Sequence, residues 1–96
     1  MKVTYDPAKR AWTLRHRGLD FDDAPTVFAG VVVQNLDVRA DYGEDRYIAV
    51  GLLKGRMVVV VWTPRPDGDG PDTRRIISMR KANEREQEEY GPDLTV

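Results

Sequence analysis

The chain has no cysteine and one histidine, His16, among its 96 residues. No disulfide can staple it, and metal sites needing two or more His or Cys ligands are excluded. A ribonuclease mechanism that passes protons between two histidines is excluded as well. The longest apolar run, Met57 to Trp62, is far too short to cross a bilayer, and no secretory segment is read at the start. A cytoplasmic domain without membrane contact is therefore expected. Glycine-rich phosphate loops, nucleophile elbows and metal-ligand spacings are all missing, so neither a P-loop mechanism nor a cofactor is expected. Charge of one sign is also missing: 15 basic and 16 acidic residues leave a net −1. Taken whole, that balance argues against a phosphate-rich partner.

What is present suits one compact domain over residues 1–96, with 91–96 expected to be disordered. A domain of this size buries only about 60–65% of its unfolded surface, so its core must be well packed. Lys2 to Tyr5 alternates as a short strand. Asp6-Pro7 then has the N-cap and first-turn signature of a helix that runs to about Arg17 and stops at Gly18. Ala8, Trp12 and Arg15, with Ala11 and Leu14, suggest an apolar side opposite a cationic one. Asp22 is the expected N-cap of a second, short helix that ends at Gly30. Four strands follow: Val31–Leu36, Arg46–Leu53 and Arg56–Thr63 around a Lys54-Gly55 turn, and Thr73–Met79. Val58–Trp62 lacks alternation and is expected to be covered on both faces. Pro64–Asp72 reads as a mobile loop. Asn83 and Glu86 form a capping box for a last helix expected to end at Tyr90, before Gly91-Pro92. The order β-α-α-β-β-β-β-α predicts an α+β fold: a small, mainly antiparallel sheet with helices packed on one side.

Charge is segregated along the chain. Residues 1–18 carry five cations against Asp6, residues 73–81 carry four cations and no acid, and the remaining 69 residues sum to −9. Were the first helix and last strand neighbours, their cations would form a face suited to a phosphate backbone; otherwise they are ordinary surface. Alternation places Arg74, Ile76, Ser78 and Arg80 on one face of that strand. Arg80 could stabilise the charge of a pentavalent phosphate, or simply pair with Glu86. His16 is the default acid/base group, or else a helix C-terminal charge. Trp12, Tyr5 and Trp62 could stack bases or sit in the core.

Several segments together resemble the BrnT family of toxins. They are Tyr5-Asp6-Pro7-Ala8-Lys9; Gly18-Leu19 with Phe21, Ala24, Val27 and Phe28; Arg46 to Gly51; Gly55 to Thr63; and Arg75 to Ala82 followed by Glu86 and Tyr90. The resemblance covers about residues 2–90. It implies a RelE-like fold and a metal-independent endoribonuclease that halts translation. It also implies a BrnA-like ribbon-helix-helix antitoxin as partner and RNA as substrate, with DNA contacted only through the antitoxin complex. On this reading Arg80, Arg46, His16 and Glu86 are the catalytic candidates, and Lys9, Arg17, Arg74 and Arg75 bind RNA. Family members usually carry Asn-x-x-Lys-His-Gly where this chain has Thr13 to Gly18, so His16 takes the lysine's place and Arg17 the histidine's. The family Glu-Arg pair in the last helix reads Glu86-Gln87. These departures define the alternative, a catalytically impaired module that only binds the antitoxin and contributes to autoregulation.

Overall fold

A computed structural model describes residues 1–65 and 70–94 of the chain. Strand β1 (Lys2–Tyr5) leads into helix α1 (Pro7–Arg17) through the expected cap, the Asp6 carboxylate accepting the Ala8 N–H at 2.9 Å. Gly18 ends α1 at φ 68°, its N–H returning to the Leu14 carbonyl. A single 3₁₀ turn (Phe21–Asp23) then feeds helix α2 (Ala24–Ala29). Asp22 is not the cap here. Asp20 accepts the Asp22 N–H and starts the 3₁₀ turn, while the Asp22 carboxylate accepts the Tyr5 hydroxyl at 2.7 Å. The tighter turn brings the chain into α2 with Pro25 in the first turn, where its missing N–H costs no hydrogen bond.

Strands β2 (Val33–Leu36), β3 (Tyr47–Leu53), β4 (Arg56–Pro64) and β5 (Thr73–Lys81) precede helix α3 (Glu84–Leu94). The sheet order is β1-β5-β4-β3-β2, with β1 parallel to β5 and all other pairs antiparallel. The α+β class and the order of elements are as the sequence suggests. Lys54 (φ 51°) and Gly55 (φ 78°) form the two-residue turn between β3 and β4. β2 starts at Val33 rather than Val31, because the chain before it closes over Gly51. A Cβ at Gly51 would lie 2.7 Å from Val27 Cγ1 and 2.9 Å from Val32 Cγ1.

Two cores form, one on each side of the sheet. Phe21, Ala24 and Val27 pack with Ala49, Val58, Val60, Trp62, Ile76 and Met79 on the first side. Val50, Val59, Ala82 and Leu94 pack on the second, flanked by Ile48, Met57 and Tyr90. Val58, Val59 and Val60 are all buried, so β4 is covered on both faces as its lack of alternation implies. The expected placement of helices on one side holds for α2 and the turn before it, whereas α3 lies across the opposite face. Alternation explains the difference: Val50 and Val59 point away from the first core and need their own cover. The same demand extends α3 beyond Tyr90. Leu94, four residues on and on the same helix face, is buried, and this burial holds Gly91 and Pro92 in the last turns. Helix therefore replaces the disorder expected at residues 91–94, while 95 and 96 lie outside the described residues. The loop expected at Pro64–Asp72 is seen only at its ends. Pro64 closes β4, Arg65 N–H donates to the Thr73 carbonyl at 2.9 Å, and residues 66–69 lie outside the described residues.

Strict alternation also fails in β5. Ser78 opposes Val61 and Ile76 opposes Trp62, so Ile77 is an extra, bulged residue. Ile76 and Met79, which alternation puts on opposite faces, are both buried in the first core. Arg74 and Arg80 consequently leave the strand on opposite sides of the sheet.

Candidate functional site

Arg80 opposes Val59 of the second core, which directs its side chain toward α3. There its guanidinium meets the Glu86 carboxylate in a two-point pair, Nη1 donating to Oε1 at 2.7 Å and Nη2 to Oε2 at 2.9 Å. Glu86 is fixed from behind by the capping box. The Asn83 N–H donates to its Oε1 at 2.9 Å, and the Glu86 N–H donates to Asn83 Oδ1 at 2.8 Å. The hydrogen bond to Arg80, aided by the Asn83 N–H, holds the Glu86 carboxyl below its usual range despite partial burial. The same pair raises Arg80, against burial and the nearby charge of Arg39. Arg80 is thus a permanent cation with 44% of its side chain exposed, in a rotamer held by Glu86. Such a planar donor fits an anionic phosphate. Glu86, with three hydrogen bonds and a lowered pKa, is a weak base at neutral pH.

Arg39 was not singled out in the sequence. It belongs to a loop built on the buried carboxylate of Asp37, which accepts Arg39 N–H, Nε and Nη2 at 3.1, 2.8 and 2.7 Å and the Tyr42 hydroxyl at 3.1 Å. Hydrogen bonding from Arg39 holds Asp37 far below the ordinary carboxylate range. The only sequence signal was an Asp-x-Arg spacing inside a polar connection. Arg46 stands elsewhere. It precedes β3 by one residue, donates to Glu44 Oε2 at 3.1 Å and lies 4.2 Å over the Tyr42 ring. Arg65 takes the other oxygen of Glu44 at 2.9 Å. By register Arg46 is about 13 Å along the strands from Arg80 and two strands away.

The remaining candidates surround α1 and the first core. α1 packs against β5, so the juxtaposition required for a shared cationic face does occur. Its cations are nonetheless divided. Arg10 is committed to Asp20 and Asp22, and Arg74 lies 4.2 Å over the Trp62 ring and 4.6 Å over Phe28. Arg17 Nη1 donates to the Met79 carbonyl at 3.0 Å, tying the end of α1 to the residue before Arg80. Lys9 has no ion pair among the described residues, nor has Arg75. The apolar side expected for α1 is not buried: Thr13 alone is, while Trp12 is 48% and Leu14 45% exposed. His16 stacks on Trp12 with centroids 4.4 Å apart, and its Nδ1 must be the donor to the Trp12 carbonyl at 2.9 Å, since a carbonyl only accepts. No hydrogen bond or ring contact joins His16 to Arg80 or Glu86. The structure therefore unites Arg80 with Glu86 and brings Arg17 to the neighbouring backbone. It leaves His16, Arg46 and Arg74 apart from them. Among the described residues, no group of three His, Asp or Glu side chains could hold a metal ion.

Compared with known proteins, residues 5–86 match the family model described as ribonuclease toxin, BrnT, of type II toxin–antitoxin system. No curated protein matches the chain.

Proposed function

The chain belongs to the BrnT family of ribonuclease toxins from type II toxin–antitoxin systems, and from that premise we propose that it is a metal-independent endoribonuclease that inhibits translation. The observation that carries the mechanism is the Arg80–Glu86 pair: an exposed guanidinium, permanently charged and held in one orientation. In the proposed reaction the 2′-hydroxyl of a nucleotide attacks the adjacent phosphorus. The bond to the departing 5′-oxygen breaks, leaving a cyclic phosphate. Arg80 binds a non-bridging oxygen and stabilises the charge that grows on it, a task for which a preoriented cation loses nothing to reorganisation. Glu86 acts chiefly by positioning Arg80. Lys9, Arg17 and Arg75 hold the RNA backbone, and the exposed His16, an imidazole able to donate or accept a proton, carries the proton from the 2′-hydroxyl and to the departing 5′-oxygen. It makes no hydrogen bond or ring contact with Arg80, so that role depends on how RNA crosses the surface. Arg46 and Arg74 bind RNA more remotely. Membership of this family implies a protein antitoxin and an RNA substrate; we propose that the antitoxin is a BrnA-like ribbon-helix-helix protein that makes the DNA contacts, and that the pair acts in the cytoplasm.

A second reading has a specific observation behind it. Arg17, standing where the family pattern has histidine, is occupied in holding the Met79 carbonyl. A chain that keeps the antitoxin surface and has lost cleavage would show this substitution. Induction of the wild type and of Arg80→Ala, with growth and transcript ends followed together, separates the two. Slowed growth and new transcript ends for the wild type alone support the ribonuclease. Antitoxin binding with neither effect supports the impaired module.

A further inference from the structure

We propose that the groove between α1 and β5 seats an unpaired base of single-stranded RNA on Trp12, the ring on which His16 is already stacked. The groove has about 200 Å³ of open space and is lined by Lys9, Trp12, Thr13 and Arg17 from α1, with Ile77 and Ser78 opposite. Trp12 is the notable member. It is the larger of two tryptophan exposures in the chain: Trp62 is 6% exposed and fills the first core, whereas Trp12 is 48% exposed and supports no core. Its neighbour His16 lies nearly parallel, at 14° and 4.4 Å, and is locked there by its hydrogen bond to the Trp12 carbonyl. Two aromatic planes are thus already aligned before any ligand arrives, so a third flat ring can join them with little ordering cost. The chemistry around them selects a nucleotide. α1 carries Lys9, Arg10, Arg15, His16 and Arg17 and no acid within its bounds. Arg17 lies 5.1 Å over the Trp12 ring. Aromatic planes beside cations are what single-stranded nucleic acid requires: the π-face takes any base, and Lys9, which has no ion pair among the described residues, can track the backbone.

Position links the groove to the proposed reaction. Ser78 lines it and is two residues from Arg80, about 7 Å along the strand. The bulged Ile77 lines the groove beside Ser78, and Arg17 braces the same strand at the Met79 carbonyl. A base held on Trp12 would therefore anchor the strand whose phosphates pass Arg80. The ligand class rests on the ribonuclease reading, but the binding measurement does not require cleavage.

The test is equilibrium binding of end-labelled oligoadenylate to the whole chain and to Trp12→Ala and Trp12→Phe, beside an abasic strand of equal length. Trp12 is exposed, and unchanged circular dichroism and melting of the variants confirm that they fold. Loss of one stacked base predicts about tenfold weaker binding for Trp12→Ala. Trp12→Phe should recover most of it, and the abasic strand should bind the wild type and Trp12→Ala alike. Wild-type affinity in Trp12→Ala overturns the proposal, as does equal affinity of the wild type for abasic and base-bearing strands. Loss of antitoxin binding in Trp12→Ala with RNA binding intact assigns the surface to a protein and also overturns it. Arg80→Ala should keep base-dependent binding while losing cleavage. A wild type that binds in this way and never cleaves refutes the ribonuclease reading alone.

Discussion

Both oxygens of Glu86 face both terminal nitrogens of Arg80, at 2.7 and 2.9 Å, and the same carboxylate closes the capping box of α3. One side chain therefore serves the helix start and the cation's orientation. Disturbing it should register in stability and in any activity that depends on Arg80.

The first prediction concerns acid. Glu86 is held below its ordinary pKa by Arg80, so its contribution is complete above the ordinary carboxylate range and is lost as pH falls through the lowered value. Asp20, paired with Arg10, and Glu44, paired with Arg65 and Arg46, titrate with the same sign. Melting temperature should accordingly fall as pH drops below about 4.5. Glu86→Gln should show a shallower fall than the wild type across that window. Identical pH slopes for the two proteins would contradict the assigned pairing.

The second prediction concerns Gly51, where there is no room for a methyl group between Val27 and Val32. Both neighbours are short, branched side chains in or against the first core and have little freedom to withdraw. Gly51→Ala should cost about 1–3 kcal/mol by overpacking. A lower urea midpoint at unchanged slope is the expected result, and an unchanged midpoint would show that the helix side of the sheet is looser than described.

The third prediction tests where α3 ends. With Leu94 buried in the second core, Leu94→Ala should destabilise by about 2 kcal/mol. Asp93→Ala, at an exposed position in the same turn, should stay within about 0.5 kcal/mol of the wild type. Equal, small effects at both positions would mean that α3 ends near Tyr90 after all.

How far the fold was legible depended on the range of the interactions concerned. Asp6, Pro7 and Gly18 delimit α1 through contacts a few residues apart, and Asn83 with Glu86 does the same for the start of α3. The Lys54-Gly55 turn is equally local. The side of the sheet taken by α3 is a different matter, because it follows from Val50 and Val59 lacking cover, a fact about three elements at once. The bulge at Ile77 has no local signature, and missing it placed Arg74 beside Arg80 when a sheet separates them. α1 misled in the opposite direction. Its apolar residues imply a buried stripe, yet Trp12 and Leu14 remain exposed because α1 packs against β5 chiefly through Thr13 and Arg17. The candidate site was legible as residue types and not as a constellation. Arg80 and Glu86 were both marked, while Arg39 was hidden in a loop whose organiser, Asp37, is buried only by the finished fold.

The most direct test of the central claim is cleavage of RNA by the purified chain in the presence of EDTA, with the new ends analysed chemically. The account predicts fragments ending in a cyclic phosphate for the wild type, and a rate lower by about a hundredfold or more for Arg80→Ala. Cleavage that Arg80→Ala performs as fast as the wild type, or a wild type that leaves RNA intact, would contradict it.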